Sequence, residues 1–219
     1  MFDKIRNDRA LRQVFLYILL VLLFGVENLF IVGKYKMYSP LDDHIPFVPV
    51  FVIPYFLWYA MIAVIGIYFL LKSKEDLRKT FLSINISTAA AIIIYFLFPN
   101  YQALRPLSYG SDFFSQWVKM LQTGDSPSCV CPSLHVSVCI TLFLGVVSCK
   151  RLTGRKLIKF LVLILTVLIC VSTVFIKQHS VIDVAAGILL SAIVYVYVYI
   201  VDESESPGRK RPASCRERL

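Results

Sequence analysis

The chain contains only three histidines, and two of them stand where they could take part in phosphoryl chemistry. Asp183 follows His179 by four residues, so both side chains share one face if a helix starts near Lys177. A carboxylate placed there can accept a hydrogen bond from one imidazole nitrogen and leave the other aimed at a substrate. His135, in the sequence Pro-Ser-Leu-His, is the second candidate. The spacing therefore predicts a site with two histidines and one aspartate.

The residues around His135 also suit a bound phosphate. Pro132 is expected at the first helical position, and the free N–H groups at Ser133 and Leu134 would add to the helix dipole to form an anion site. Arg105 can reach the same space from a long loop and hold a phosphate through two hydrogen bonds. Structural alternatives stay open, since Pro-Ser is a common helix cap, arginine pairs with lipid head groups, and histidines settle at membrane interfaces.

Six apolar segments must position these residues. The chain is 58% hydrophobic and 17% charged, with a mean hydropathy of +0.71, which is more apolar than soluble domains. A hydrocarbon core about 30 Å thick needs roughly 20 apolar residues per crossing. The segments run over about residues 11–32, 47–71, 81–98, 133–148, 157–176 and 181–200. We therefore predict an all-α, polytopic membrane protein with six transmembrane helices in one domain, residues 1–201, and a disordered cytoplasmic tail, residues 202–219.

The basic residues predict the orientation of this bundle. The formal charge is +9, and 18 of the 23 Lys and Arg residues fall at the N-terminus, after the second and fourth segments, or in the tail. The positive-inside rule then places both termini in the cytoplasm and the histidines at the extracytoplasmic face of the cell membrane. Attraction to anionic head groups accounts for these short clusters, so membrane lipids rather than nucleic acid are the expected partners.

With these motifs in this order, the chain resembles the type 2 phosphatidic acid phosphatase (PAP2) superfamily of six-helix membrane enzymes. The family's motifs are K-x6-R-P, P-S-G-H and S-R-x5-H-x3-D. Here they read Arg105-Pro106 for the first, Pro132-Ser133-Leu134-His135 for the second, and Ser172-Thr173 with His179 and Asp183 for the third. The family's lysine falls at Phe98 and its arginine at Thr173, so two of three phosphate-gripping cations are missing. The motif form is similar to the branch that includes inositol phosphorylceramide and sphingomyelin synthases.

The resemblance implies a lipid phosphatase that cleaves a phosphomonoester or pyrophosphate of a lipid through a phosphohistidine. His179 would be the nucleophile, Asp183 would orient it, and His135 would protonate the leaving oxygen and then activate water. The substrate-binding residues would be Arg105, Lys177, Ser133 and Leu134, with Lys177 replacing one lost cation. The scheme requires no metal and no cofactor, and its alternative is a phosphotransferase that moves a head group between lipids.

Two rivals from other classes remain. A zinc site built from His135, His179 and Asp183 has acceptable ligand types but no further ligand cluster in the sequence. A small transporter is the non-enzyme alternative, and it predicts paired half-segments with matching Gly or Pro breaks. The prolines at the start of the second segment have no counterpart in a second half of the chain.

Overall fold

The computed structural model describes residues 8–201. The predicted tail, residues 202–219, lies outside the described residues, as do the first basic positions of the chain. Within the described part the fold is all-α, as predicted, apart from two strands of two residues each. Its helices are α1 Arg9–Phe30, α2 Leu41–His44, α3 Val52–Lys72, α4 Lys74–Leu97, α5 Phe113–Gly124, α6 Leu134–Ser148, α7 Lys156–Phe175 and α8 Val181–Tyr195.

Three elements extend this list. A 3-10 turn at Pro49–Phe51 leads into α3, a second one at Lys150–Leu152 follows α6, and a π-helical segment at Val196–Val201 continues α8. The strands β1 Tyr35–Lys36 and β2 Asn100–Tyr101 pair in parallel, with Tyr35 opposite Asn100.

Five stretches of the described chain are helical, long and apolar enough to cross a membrane, which confirms a multi-pass protein. They are Arg9–Phe30, Pro49–Lys72, Lys74–Leu97, Lys156–Phe175 and Val181–Ile200. The remaining predicted span, residues 133–148, corresponds to α6, which has 15 residues. At 1.5 Å per residue α6 is about 22 Å long, shorter than a hydrocarbon core of about 30 Å. The six-span prediction is therefore not established by helix length alone.

Helix α6 lies at the centre of the bundle and packs against α3, α4, α7 and α8. Small residues permit this packing, as is usual for helices in membranes. A Cβ atom built on Gly187 of α8 would lie 2.8 Å from the backbone oxygen of Ser133, and one on Gly145 would lie 2.4 Å from Thr80 Oγ1. Both helix pairs therefore approach more closely than a larger side chain would allow.

One end of the bundle carries the segments 31–48, 98–133 and 176–180, and we call it the histidine end. Asn100 organises it, because its fully buried side chain accepts hydrogen bonds from the N–H groups of Val130 and Cys131 at 2.9 and 2.8 Å. The Tyr95 hydroxyl at the end of α4 donates to the carbonyl of Pro132. These contacts fix the chain directly before α6, where the predicted catalytic residues begin.

Candidate active site

His179 lies in the short connection between α7 and α8, which the backbone holds tightly. The N–H groups of Gln178 and His179 both donate to the carbonyl of Thr173, at 2.9 and 3.0 Å. Lys177 adopts a left-handed backbone conformation at φ 58°. The connection therefore turns sharply and places His179 one residue before the cap of α8.

Asp183 is buried beneath this turn and contacts the His179 ring. Its Oδ2 atom lies 3.4 Å from His179 Nδ1 and accepts a hydrogen bond from the Ser180 N–H at 2.9 Å. Ser180 caps α8 in return, so the two residues form a capping box. Because Nδ1 faces a carboxylate, the Nε2 atom of His179 is the ring nitrogen left for a substrate. The predicted pairing of His179 with Asp183 is present.

A second aspartate holds the same turn from another part of the chain. Asp42, only 2% exposed, accepts hydrogen bonds from Ser180 Oγ at 2.6 Å, Val181 N–H at 2.9 Å and Ser39 N–H at 2.8 Å. The segment around Asp42 therefore fixes the residues that follow His179. The sequence carries no signal for this contact, since 138 residues separate Asp42 from Ser180.

His135 is the second residue of α6, and the start of this helix differs from the prediction. Ser133 has an extended backbone and caps the helix, with its Oγ 3.4 Å from the Val136 N–H. Pro132 therefore precedes the cap, and its expected placement at the first helical position is wrong. The physical reason is that a serine hydroxyl satisfies a free helix N–H when it stands at the cap itself. The Ser133 N–H donates to the Asp183 carbonyl at 3.0 Å, which ties α6 to α8.

The ring of His135 packs against two aromatic side chains of α3. Its centroid lies 4.3 Å from that of Tyr55 and 4.4 Å from that of Trp58. The His135 Nε2 atom is buried and has no hydrogen-bond partner among the described residues. The His135 and His179 ring centroids are 6.3 Å apart. The structure thus brings both histidines and Asp183 together.

A cavity of about 450 Å³ adjoins both histidines. Residues from α1, α3, α4, α5, α6 and the α7–α8 connection line it, including Leu134, His135 and His179. Within residues 8–201, no Lys or Arg side chain is part of its lining, and Asp125 is the only Asp or Glu in that lining. The cavity is therefore mainly aromatic and apolar, with a carboxylate on its wall.

Arg105 lies close to this wall, but its donors are directed at backbone. Its guanidinium binds the carbonyls of Gln122, Asp125 and Ser126 at 2.7, 2.8 and 3.1 Å and lies 3.9 Å from the Asp125 carboxylate. Burial lowers the pKa of the Arg105 guanidinium, while Asp125 opposes that shift. In this arrangement Arg105 holds the segment that ends α5.

Lys177 is likewise bound to backbone. Its ammonium donates to the carbonyls of Asp42 and Ile45 at 2.8 and 2.6 Å. Burial lowers the pKa of the Lys177 ammonium, although Asp42 and Asp43 favour the charge. Lys177 and Ser133 are not among the residues that line the cavity, whereas Leu134 is.

Two uncharged residues, Phe98 and Thr173, occupy the positions of the missing family cations. Phe98 ends α4 and stacks on Tyr35 with ring centroids 4.0 Å apart. Thr173 is fully buried and supplies the carbonyl that fixes the His179 turn. Within residues 8–201 no group of three His, Cys, Asp or Glu side chains converges as a metal site would require. The third histidine, His44, is exposed at the end of α2.

Comparison with known proteins agrees with this architecture. A family model described as the PAP2 superfamily matches residues 23–197, which include most of the bundle as well as His135, His179 and Asp183. No curated protein and no solved structure matches the chain at a significant level. Members of the superfamily are generally phosphatases or phosphotransferases. Because the match covers most of its length, the chain belongs to the PAP2 superfamily.

Proposed function

We propose that this protein is a membrane lipid phosphatase that works through a phosphohistidine on His179. The carrying observation is the arrangement of three side chains: His179 against buried Asp183 at 3.4 Å, with His135 opposite at a ring separation of 6.3 Å. An imidazole oriented by a carboxylate is a competent nucleophile, and a covalent intermediate divides one difficult step into two.

The chemistry follows from the two ring environments. His179 Nε2 attacks phosphorus as the bond to the leaving oxygen breaks, and His135 gives that oxygen a proton. His135 then takes a proton from water, whose oxygen displaces His179 and releases phosphate. We assign the N–H groups of Leu134 and His135 at the start of α6 to the phosphoryl oxygens, because the Ser133 N–H donates to the Asp183 carbonyl and the Val136 N–H to Ser133 Oγ. We assign Arg105 and Lys177 to holding the loops of the site. To contact the substrate, either side chain would have to leave the backbone carbonyls that it now binds.

In the proposed topology α6 is a short crossing in the centre of the bundle and brings the total to six. All six crossings belong to one domain of residues 1–201. With six crossings both termini lie in the cytoplasm, and the histidine end is extracytoplasmic. The basic connections α3–α4 and α6–α7 lie at the opposite end from His135 and His179.

Head-group transfer, as in the synthase branch that the motifs resemble, is the second candidate. The observation that favours it is the cavity of about 450 Å³ beside His135, which can hold an acceptor hydroxyl in place of water. The two reactions share the phosphohistidine and differ only in what cleaves it.

The test is to trap the intermediate on purified protein. Incubation with lipids that carry a radioactive phosphate, with and without a diacylglycerol or ceramide acceptor, should give an acid-labile, base-stable label on His179. His179→Ala should lose the label and at least about 10³-fold of turnover, since the nucleophile is removed. His44→Ala is the matched control, because His44 is exposed on α2, and it should keep both. Turnover in His179→Ala, or a label on another residue, would refute the proposal.

A further inference from the structure

One wall of the cavity is unusually rich in hydrogen-bond acceptors. The Asp125 carboxylate accepts hydrogen bonds from two neutral amides, Asn28 Nδ2 at 3.2 Å and Gln178 Nε2 at 2.9 Å. A carboxylate only accepts, so both amides must turn their NH₂ groups toward it. Their carbonyl oxygens, Asn28 Oδ1 and Gln178 Oε1, are consequently buried without a partner among the described residues. Gln178 is itself only 3% exposed.

Such a wall requires donors. A buried acceptor without a hydrogen bond is unfavourable, so native sites satisfy these groups. The nearby guanidinium of Arg105 does not, because its hydrogen bonds go to three backbone carbonyls and it stays 3.9 Å from the carboxylate. Asn28, Asp125 and Gln178 all line the cavity, so a ligand that enters it meets the carboxylate, and the two side chains bonded to that carboxylate carry the unpartnered amide oxygens.

The rest of the lining favours a cation. Tyr17, Phe24, Tyr59 and Tyr95 line the cavity beside the two rings that hold His135. Aromatic faces attract ammonium groups, most strongly where water is excluded. Tyr59 lies within electrostatic reach of Asp125, so the aromatic and acidic parts of the lining adjoin each other.

These groups discriminate among head groups. A phosphate monoester alone would bring a second anion beside Asp125, and no Lys or Arg lines the described cavity. An uncharged glycerol head group would bring no positive charge to the carboxylate, whose nearest described cation, Arg105, stays 3.9 Å away and donates to backbone carbonyls. A trimethylammonium group would bind the aromatic rings but has no N–H for the amide oxygens. A primary ammonium has three N–H donors and a positive charge, which matches all three groups.

We propose that the cavity binds the primary ammonium of a phosphoethanolamine-type head group, with Asp125, Asn28 and Gln178 as its acceptors. That this lipid is the substrate rests on the proposed function in its head-group-transfer form, in which the substrate is a phosphodiester and the phosphohistidine carries the head group. His179 Nε2 would then bond to phosphorus as the ester bond to diacylglycerol breaks and His135 protonates the released oxygen. Water, or a second lipid hydroxyl, would displace His179 from phosphorus and return a proton to His135.

Binding can be tested without turnover on the full-length His179→Ala protein in detergent. Calorimetric titration would compare short-chain phospholipids that differ only in the head group: ethanolamine, choline and glycerol. Ethanolamine should bind about tenfold or more tightly than either of the others, as expected for hydrogen bonds to a charged group. Equal binding of the three lipids, or tighter binding of choline or glycerol, would overturn the proposal.

Two variants locate the preference. Asp125→Asn should abolish the advantage of ethanolamine over glycerol, whereas Asp112→Asn should keep it. The second change removes the same charge at the other end of α5, where Asp112 is the N-cap, and asparagine still caps the helix. Asn28→Leu keeps the carboxylate and should lose only the advantage of ethanolamine over choline, so it tests the site even if Asp125→Asn fails to fold. An unchanged ethanolamine preference in folded Asp125→Asn or in Asn28→Leu would contradict the proposal.

The outcome is separable from the proposed function. Ethanolamine-selective binding without any phosphohistidine would support the head-group site and refute the proposed enzymatic function. A phosphohistidine on His179 together with equal binding of all three head groups would support the proposed enzymatic function and refute the head-group site.

Discussion

Asp42 is the residue outside the predicted motifs whose loss should most affect the candidate site. Its carboxylate accepts three hydrogen bonds, two of them from Ser180 and Val181 directly after His179. Asp42→Asn keeps the size of the side chain but turns one acceptor oxygen into a donor NH₂ group. We expect both lower stability and lower turnover from this one-atom change.

The size of the effect follows from the donors. Ser180 can rotate its hydroxyl to accept from the new amide, but the N–H groups of Val181 and Ser39 cannot. One of these two backbone donors must therefore lose its acceptor in a buried place, at about 1–3 kcal/mol. If that free energy is lost from the positioning of His179 in the transition state, turnover falls by about 5-fold to 150-fold.

The assay pairs turnover with thermal unfolding of the purified protein in one detergent. Asp43→Asn is the matched control, since the neighbouring carboxylate is exposed and the charge change is the same. Asp42→Asn should be less active and less stable than Asp43→Asn, while the KM for lipid changes little because Asp42 is not part of the cavity lining. Equal turnover and equal unfolding temperatures for the two variants would refute the reasoning.

Two further predictions concern packing and thiol reactivity. Gly187→Ala should push α8 away from Ser133 and reduce both stability and turnover, whereas Gly25→Ala, with open space at its Cβ position, should change neither; circular-dichroism melting and the turnover assay would check both. Burial raises the pKa of the Cys129 and Cys131 thiols to about 12, so at pH 8 both remain protonated. Their alkylation by iodoacetamide, followed by mass spectrometry, should be slow at pH 8 and still rise between pH 9 and pH 11, where an ordinary thiol has levelled off; a plateau near pH 9 would contradict this.

Much of the helical architecture follows from the sequence because the bilayer imposes a length on apolar segments. The sequence predicts the α7 and α8 segments at residues 157–176 and 181–200, close to the observed spans Lys156–Phe175 and Val181–Ile200. The helix in the fourth predicted segment, α6, has only 15 residues. Its position at the centre of the bundle depends on packing against four helices, and periodicity does not encode that arrangement.

The candidate site was predictable where the contact is local and not where it is distant. His179 and Asp183 are four residues apart, so helical geometry alone brings them together. Asp42 and Asp125 make contacts across 138 and 53 residues, to Ser180 and Gln178. An acidic residue in a loop looks the same in the sequence whether it is solvated or buried, so only the fold distinguishes them.

The charges around the cavity are best explained together. At two of the three positions where the family grips phosphate with cations, this chain has Phe98 and Thr173, and the third, Arg105, is bound to backbone carbonyls. A dianionic phosphomonoester would then lack counter-charges and would also face Asp125. A zwitterionic head group adds no net charge, and its ammonium offsets the carboxylate while its phosphate lies toward the histidines. The missing cations and Asp125 therefore both favour a zwitterionic phosphodiester, the donor in the head-group-transfer candidate, over a phosphomonoester.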